Sequence, residues 1–334
     1  MADVTVLGAG SWGTALAVHL GRIGHHVRLW ARDRALVDDM TARRANAVYL
    51  PDVTLPDTVS VMHAIDEALG GADLVVSAVP SHGCRTMMRQ AAPYLRPRAT
   101  IVSATKGLEV HTLLRMSEVI AHELGAAHPV VVLSGPSFAV EVAKQLPTAI
   151  LAASSDPRAT EVVQAEFRAA YFRLYGSDDV VGVEVAGAMK NTIAIAAGVV
   201  EGLGLGHNAL AALITRGLAE VTRLACAAGG RRETLAGLSG LGDLVLTCTG
   251  TLSRNRHVGV ELARGRRLND ILAGMKMIAE GVRTTGVALA LGERYGVELP
   301  ITAQMAEVLD GRSNVRTAVD ALMLRRQRAE AERG

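Results

Sequence analysis

A glycine-rich stretch near the start of the chain constrains the fold more than any other feature. Residues 4–21 read VTVLGAGSWGTALAVHLG, in which a short β-branched and apolar run, Val4–Leu7, precedes Gly8, Gly10 and Gly13 and then a helical pattern. The spacing G-x-G-x-x-G between a strand and a helix is typical of a dinucleotide-binding turn, because the glycines permit a tight turn, pyrophosphate approach and close helix packing. The free N–H groups of the helix N-terminus favour the same anion. An ordinary βα turn is the alternative.

The second predicted strand bears on which dinucleotide binds. His26–Trp30 is predicted to be this strand, and Arg32 lies 19 positions after Gly13, close to the strand end. An acidic residue at this place would hold a ribose 2′-hydroxyl, whereas an arginine accommodates a 2′-phosphate. Asp33 has two open roles, turning outward or capping the next helix, and Arg32 and Arg34 could belong to a solvated loop. We predict NADPH as the preferred cofactor, with NADH tolerated.

The rest of the first half alternates between strands and helices, which predicts an α/β fold with a doubly wound parallel sheet. Residues 46–58 carry two prolines and are predicted to form a loop. The later predicted strands are Val59–Met62, Ala72–Val79, Thr100–Thr105, Val130–Leu133, Thr148–Ala153 and Tyr171–Tyr175.

The pattern changes to helical spacing from Val183 onward, without a convincing strand. We therefore predict a dinucleotide-binding domain over residues 1–180 and an all-helical substrate and catalytic domain over residues 181–325. The charged residues 326–334 are predicted to be a frayed tail.

Composition excludes several classes of function. A formal net charge of +2 gives no general attraction to nucleic acid or membrane. Apolar residues make up 49% of the chain, yet no uninterrupted apolar run approaches the about 20 residues that a membrane span needs. No secretory signal pattern precedes the first strand. Three cysteines, Cys84, Cys226 and Cys248, lack metal-ligand spacing, which predicts a reducing cytoplasm and no metal site.

Lysine is scarce in this chain. Of 35 basic residues only four are lysines, Lys106, Lys144, Lys190 and Lys276, and the others are arginines. Where only positive charge matters the chain uses arginine, so a lysine can mark a group that must lose its proton. Chance retention is the preferred explanation for Lys144 and Lys276. Lys106 follows a predicted core strand, and Lys190 lies in an apolar predicted helix, residues 185–200, where desolvation would lower its pKa.

Two further segments carry candidate polar groups. Asp243 and Thr247 are spaced i and i+4, which places both side chains on one face if the segment is helical. Ser253 is a predicted N-cap whose helix, with Arg254 in its first turn, could bind a phosphate. A capped helix with a solvated arginine is the alternative, as a snorkelling structural lysine is for Lys190. Backbone amides around Ser137 could also bind an anion.

Together these motifs resemble those of the bacterial NAD(P)-dependent glycerol-3-phosphate dehydrogenase family, over nearly the whole chain. The matching segments, in the order and spacing of that family, are GAGSWGTALA, TKGLE, SGPSFA, MKN, GLSGLGDLVLTCTG, LSRNRHVG and AEGVRT. The resemblance implies a Rossmann-like domain followed by a helical domain of the 6-phosphogluconate-dehydrogenase type. It also implies a homodimer, and reversible reduction of dihydroxyacetone phosphate to sn-glycerol 3-phosphate for glycerophospholipid synthesis.

The resemblance also assigns roles to individual residues. Lys190 would be the catalytic acid/base, with Lys106 and Asp243 completing the catalytic set. The implied substrate-binding residues are Lys106, Gly135, Ser137, Lys190, Asp243, Ser253, Arg254 and Asn255. The implied cofactor-binding residues, besides the three glycines, are Ser11, Trp12, Arg32, Lys106, Ala139, Arg254, Ile278 and Glu280.

Two other functions remain open from the sequence. One is a different two-domain dehydrogenase that acts on a hydroxy acid, against which the predicted phosphate site around Ser253 and Arg254 argues. The other is a non-catalytic dinucleotide-sensing protein, which the presence of both Lys106 and Lys190 disfavours.

Overall fold

The computed structural model describes residues 1–275, 279–327 and 329. The chain forms two compact units. The first consists of Met1–Lys106 and Arg115–Val180, and the second of Gly107–Leu114 and the described residues from Val181 onward. Residues 107–114 were predicted to belong to the first domain, but they cluster with the second unit. Lys276, Ile278 and, in the predicted tail, residues 328 and 330–334 lie outside the described residues.

The first unit is built on one eight-stranded sheet and a small hairpin. Its strands are β1 (Asp3–Leu7), β2 (His26–Trp30), β3 (Ala45–Asn46), β4 (Leu50–Thr54), β5 (Val59–Met62), β6 (Leu74–Ser77), β7 (Thr100–Ser103), β8 (Val130–Ser134), β9 (Thr148–Ala153) and β10 (Phe172–Ser177). Its helices are α1 (Ser11–Arg22), α2 (Arg34–Arg43), α3 (Ile65–Leu69), α4 (Ser81–Ala91), α5 (Met116–Leu124), α6 (Ala139–Ala143) and α7 (Pro157–Glu166).

The order of the sheet confirms the predicted doubly wound fold. The order is β10-β9-β8-β7-β6-β1-β2-β5, and every neighbouring pair is parallel except β8 and β9, which are antiparallel. The first strand lies between β2 and β6, so the direction of winding changes beside it. Ligands of such sheets bind outside the carboxyl ends of the strands at this switch point. The glycine turn directly follows β1 and therefore stands at that point.

The prediction of a loop over residues 46–58 was wrong for residue 46 and residues 50–54, which are in strands, and holds for residues 47–49 and 55–58. Strands β3 and β4 form an antiparallel hairpin there, in which Leu50 and Val53 are buried in the core. Pro51 is tolerated because a two-stranded hairpin consists of edge strands, whose amides need not all join a ladder. The two prolines thus suggested a loop where burial of Leu50 and Val53 stabilises a strand pair.

The second unit is helical in the residues that the structure describes. Its helices are α8 (Val180–Gly202), α9 (Gly206–Ala227), α10 (Arg232–Ala236), α11 (Asp243–Thr249), α12 (Arg254–Ala263), α13 (Leu268–Ala273), α14 (Glu280–Tyr295), α15 (Pro300–Leu309) and α16 (Val315–Met323). A π-helical turn, Leu238–Gly242, leads into α11. The predicted all-helical second domain is confirmed over this part of the chain.

Helix α8 is the centre of the second unit. Within the described residues it is the one helix long and apolar enough to cross a bilayer, but 89% of its most apolar window is buried inside the protein. It crosses α12 at glycines: a Cβ on Gly198 would lie 1.9 Å from the Arg256 carbonyl oxygen, and one on Gly259 would lie 1.9 Å from that of Ile195. Backbone contact at this crossing brings the start of α12 towards the middle of α8.

Candidate active site

Two of the three glycines in the first turn meet steric demands within the protein, and the third leaves open space. Gly8 has φ of +109°, a region that L side chains rarely adopt, and a Cβ there would lie 3.0 Å from the Ala78 carbonyl oxygen. A Cβ on Gly13 would lie 1.8 Å from the Gly8 carbonyl oxygen, so helix α1 can start only with a glycine at this place. Nothing lies within 4 Å of a Cβ built on Gly10. The backbone of the turn is thus open to a ligand at Gly10.

A buried amide ties the hairpin to this turn. Nδ2 of Asn46 donates to the Ala9 carbonyl oxygen and to Thr14 Oγ1, both at 2.9 Å, while Oδ1 accepts from the Tyr49 amide at 3.0 Å. Ser11 Oγ donates to the Tyr49 carbonyl oxygen at 2.5 Å. Sequence reasoning missed Asn46, since a single asparagine in an expected loop carries no pattern. Its complete burial and its bonds on both sides show that it holds the hairpin against the glycine turn.

Two further predicted cofactor residues of this unit are Trp12, at the edge of its core, and Arg32, on its surface. Trp12 is partly buried and packs against the core of the sheet. Arg32 is exposed just beyond the end of β2. Asp33 caps α2, since its Oδ1 accepts from the amides of Ala35 at 2.9 Å and Leu36 at 3.4 Å. Of its two predicted roles, Asp33 therefore takes that of a helix cap.

Lys106, Gly135 and Ser137 come together beyond the ends of β7 and β8. Nζ of Lys106 donates to the Gly135 carbonyl oxygen at 3.2 Å, and Ser137 Oγ donates to the same oxygen at 3.0 Å. Gly135 has φ of +139°, and a Cβ there would lie 2.9 Å from Ile150 Cα, so no other residue fits. Ala139 follows as the first residue of the short helix α6. The structure thus places a lysine ammonium and a serine hydroxyl around one strand-end carbonyl.

In the second unit, Lys190 is held by two side chains of α11. Its Nζ donates to Asp243 Oδ1 at 2.5 Å and to Thr247 Oγ1 at 2.9 Å. Lys190 is 8% exposed and Asp243 is 1% exposed, so this is a buried ion pair. Thr247 Oγ1 in turn donates to the Asp243 backbone carbonyl oxygen at 2.6 Å. The i and i+4 spacing therefore does put both groups on one helix face, and that face contacts Lys190.

The neighbouring thiol does not compete as a nucleophile. Burial raises the pKa of Cys248 to about 12, with the Lys190 ammonium lowering it and the Asp243 carboxylate raising it. A thiol with this pKa stays protonated at neutral pH, and the thiolate is the reactive form. The reactive groups of this cluster are thus the amine and the carboxylate.

The start of α12 joins three helices. Ser253 Oγ accepts from the Arg256 amide at 3.3 Å, which confirms the predicted N-cap. Asn255 Nδ2 donates to Asn191 Oδ1 at 2.9 Å, and Asn255 Oδ1 accepts from the Gly281 amide at 3.0 Å. Asn255 therefore connects α12 to the neighbour of Lys190 on α8 and to the first turn of α14. Sequence reasoning did not single out Asn191, whose partner lies 64 residues away.

Arg254 and Glu280 provide the charges at the same place. Partial burial of the Arg254 guanidinium lowers its pKa, and the Glu280 carboxylate offsets part of that change. Glu280 is the first residue of α14. Ile278, the other predicted cofactor contact of this segment, lies outside the described residues. An arginine at a capped helix N-terminus can bind a phosphate through its guanidinium and through backbone amides.

Each unit thus carries a different set of candidate functional groups. The first offers a glycine turn open to a dinucleotide, together with the Lys106 ammonium. The second offers a buried lysine that can donate a proton, and a helix start suited to a phosphate. Among the described residues no group of three or more His, Cys, Asp or Glu side chains could hold a metal ion.

Comparison with known proteins covers nearly the whole chain. The profile described as "NAD-dependent glycerol-3-phosphate dehydrogenase N-terminus" matches residues 3–160, and its C-terminus counterpart matches residues 179–320. A glycerol-3-phosphate dehydrogenase [NAD(P)+] from Koribacter versatilis is 54% identical over 329 residues, covering 97% of this chain and 98% of that protein. One from Geobacter sulfurreducens is 50% identical over 329 residues, covering 98% of each. The crystal structure of glycerol-3-phosphate dehydrogenase from Coxiella burnetii has a TM-score of 0.94 at 41% identity, covering 97% of this chain and 99% of that one.

Proposed function

Because the chain belongs to the NAD-dependent glycerol-3-phosphate dehydrogenase family, we propose that it reversibly reduces dihydroxyacetone phosphate to sn-glycerol 3-phosphate with NAD(P)H. The product would supply glycerophospholipid synthesis. The observation that carries the proposal is the buried Lys190, whose Nζ is held by Asp243 and Thr247 in the part of the chain that matches the family's C-terminal profile.

Lys190 is proposed to be the general acid of the reduction. Bound NAD(P)H supplies a hydride to the C2 carbonyl carbon of the substrate. The Lys190 ammonium stabilises the negative charge that develops on the C2 oxygen, donates its proton there and is left as a neutral amine. In the reverse direction the neutral amine removes the hydroxyl proton. An arginine could stabilise the charge but is too weak an acid to donate readily, since its pKa exceeds about 12.

Asp243 and Thr247 are proposed to orient that lysine. Their oxygens lie 2.5 and 2.9 Å from Nζ, so they restrict the amine to one position within an apolar helix bundle. The Asp243 carboxylate also forms an ion pair with the Lys190 ammonium, which is the form required before reduction. Lys106 is the third member of the proposed catalytic set.

The substrate phosphate is proposed to bind at the start of α12. Arg254 offers a forked donor there, and the Ser253 cap sets the direction of the first-turn amides. Anchoring the phosphate would fix C2 with respect to Lys190, a proximity effect worth several kcal/mol. Lys106, Gly135, Ser137 and Asn255 complete the proposed substrate contacts.

The fit of the first unit to a dinucleotide rests on Gly10, where nothing occupies the space that a side chain would fill. The proposed cofactor contacts are Gly8, Gly10, Ser11, Trp12, Gly13, Arg32, Lys106, Ala139, Arg254, Ile278 and Glu280. NADPH is the proposed preference over NADH. It is supported by Asp33, whose Oδ1 is engaged by two amides of α2, and by the exposed Arg32 next to it.

A substrate panel tests the function. Purified protein should oxidise NADPH with dihydroxyacetone phosphate and do so far more slowly with dihydroxyacetone, which lacks the phosphate. Equal rates with a 2-keto acid would favour a hydroxy-acid dehydrogenase. Tight NADPH binding without turnover on any substrate would favour a dinucleotide sensor.

A homodimer and a cytoplasmic location are proposed from the family resemblance. The absence of a disulfide at Cys84, Cys226 and Cys248, all within the described residues, is compatible with a reducing compartment. Light scattering after size-exclusion chromatography measures the molar mass, which should be twice the chain mass of 35.0 kDa. A monomer at micromolar concentration would contradict the proposed dimer.

A further inference from the structure

We propose that His63 is a cofactor-specificity residue which, with Arg32 and Arg34, holds the 2′-phosphate of NADP(H). The proposal rests on the proposed NADPH preference and adds a residue from a different strand to it. No sequence motif indicated His63, because it is one of ten histidines and follows a short strand.

The sheet places His63 beside the end of β2. Strand β5 is the edge strand next to β2, and Trp30 pairs with Met62 in the parallel register. Ala31 and His63, the residues that directly follow β2 and β5, therefore lie side by side. Both carboxyl ends lie at the edge of the sheet where ligands of this fold bind.

Three hydrogen bonds join the two strand ends. The Ala31 amide donates to the Met62 carbonyl oxygen at 3.0 Å, and Trp30 Nε1 donates to the His63 carbonyl oxygen at 2.7 Å. The His63 ring contacts the Ala31 carbonyl oxygen through Nδ1 at 3.3 Å. The imidazole is thus fixed at the residue that directly precedes Arg32.

The hydrogen bond of the ring determines which nitrogen is left for a ligand. A carbonyl oxygen only accepts, so Nδ1 carries the proton and donates to Ala31. Nε2 is then the nitrogen for a further partner, and the residue is exposed. An imidazolium donates from both ring nitrogens, so Nε2 is the donor that the protonated ring would present to a phosphate.

Side chains are better placed than backbone amides to hold a phosphate here. The first-turn amides of Ala35 and Leu36 in α2 already donate to Asp33 Oδ1, whose negative charge repels a second anion. Arg32 and Arg34 are exposed basic side chains near this helix start, and His63, directly after β5, adds a third donor. Charge-assisted hydrogen bonds are the stronger class and would favour a dianion over the 2′-hydroxyl of NADH.

The experiment compares two fragments of the cofactors by calorimetry, adenosine 2′,5′-bisphosphate and 5′-AMP, which differ only in the 2′-phosphate. In His63→Asn the amide nitrogen can take the place of Nδ1 on the Ala31 carbonyl oxygen, but the side chain has no counterpart of Nε2. We expect about tenfold weaker binding of the bisphosphate, from the loss of one charge-assisted hydrogen bond, with 5′-AMP affinity unchanged. His63→Lys should retain most of the bisphosphate affinity.

His128→Ala is the matched control, because that ring also bonds through Nδ1 to a backbone carbonyl oxygen, that of Ala99, at 3.0 Å. It should change neither affinity. Equal weakening of both fragments in His63→Asn, or weakening of neither, would overturn the role of His63. Arg32→Ala separates the two proposals: selective loss there without loss in His63→Asn refutes only the role of His63, and no loss in either variant refutes the NADPH preference as well.

Discussion

Lys190 and Asp243 form a buried ion pair in which Nζ and Oδ1 are 2.5 Å apart, although 53 residues separate them in the chain. The lysine comes from the central helix α8 and the carboxylate from the first residue of α11. Thr247, one turn further along α11, adds the second contact to Nζ at 2.9 Å. This pair joins the proposed chemistry of the protein to the packing of its helical unit.

Replacement of Lys190 by arginine should distinguish the effect of its positive charge from its role as a proton donor. Lys190→Arg keeps a cation but removes the group that donates a proton, so kcat should fall by roughly a hundredfold or more. NADPH affinity, measured by fluorescence titration, should stay near that of the wild type. Lys144→Arg is the control, since Lys144 is exposed and has no proposed role. A near-normal kcat in Lys190→Arg would remove Lys190 from the mechanism.

Loss of one member of the buried pair should cost stability as well as activity. Asp243→Ala leaves the Lys190 ammonium buried without its carboxylate, which should lower the free energy of unfolding by about 3 kcal/mol. Urea denaturation measures this change. In the double variant Lys190→Met with Asp243→Leu no charge is buried, so most of the lost stability should return while activity stays absent. An equally unstable double variant would show that packing, and not the unpaired charge, causes the loss.

Loss of the Asn46 amide should weaken cofactor binding more than substrate binding. Asn46→Ala removes two donated bonds, to Ala9 and Thr14, and leaves the Tyr49 amide without its acceptor. Loosening of the glycine turn should raise KM for NADPH several-fold, and KM for dihydroxyacetone phosphate should change little. Steady-state kinetics with each substrate varied in turn gives both constants. A parallel rise of both would indicate a general loss of structure, which a thermal unfolding scan would register independently.

His19 should make the stability of the first unit depend on pH. Its Nε2 donates to the Phe167 carbonyl oxygen and its Nδ1 lies 2.9 Å from the Tyr171 hydroxyl. Burial lowers the pKa of His19 from 6.5 to about 4, with the Phe167 bond opposing the change. The unfolded chain therefore binds the proton first as the pH falls. The stability associated with neutral His19 is complete above pH 6.5 and is lost as the pH falls from 6.5 towards 4, by about 3 kcal/mol in total.

A non-titrating variant tests this pH dependence. In His19→Gln the amide nitrogen can replace Nε2 as donor to Phe167, so the free energy of unfolding should change less between pH 6.5 and pH 4 than in the wild type. His207→Gln, at an exposed position of α9, is the control and should keep the wild-type slope. The same slope in His19→Gln as in the wild type would assign the pH dependence to other groups.

Some of these relationships could be read from local patterns. The strand, glycine turn and helix over residues 3–22 were predictable because the positive φ of Gly8 and the contact of Gly13 with the Gly8 carbonyl oxygen are local to the turn. The cap at Ser253 was predictable for the same reason, since its acceptor serves an amide three residues on. The spacing of Asp243 and Thr247 predicted a shared face, but not which residue that face contacts.

Other features depended on residues far apart in the chain. The hairpin over β3 and β4 was missed, because its stability comes from burial of Leu50 and Val53 and from the contacts of Asn46 with the glycine turn. The link of Asn255 to Asn191 and Gly281 likewise joins three helices through single polar groups. Such contacts have no periodicity in the sequence, so no local pattern predicts them.

The sequence by itself determined the fold class, the place of the dinucleotide turn and the two lysines most suited to chemistry, because periodicity, glycine sterics and residue chemistry act over short distances. Only the tertiary structure decided that Asn46 holds the hairpin against the glycine turn and that Lys190 is held by Asp243 and Thr247. Each of these depends on which polar groups become buried together, and the cost of leaving a buried polar group unpaired then selects its partner.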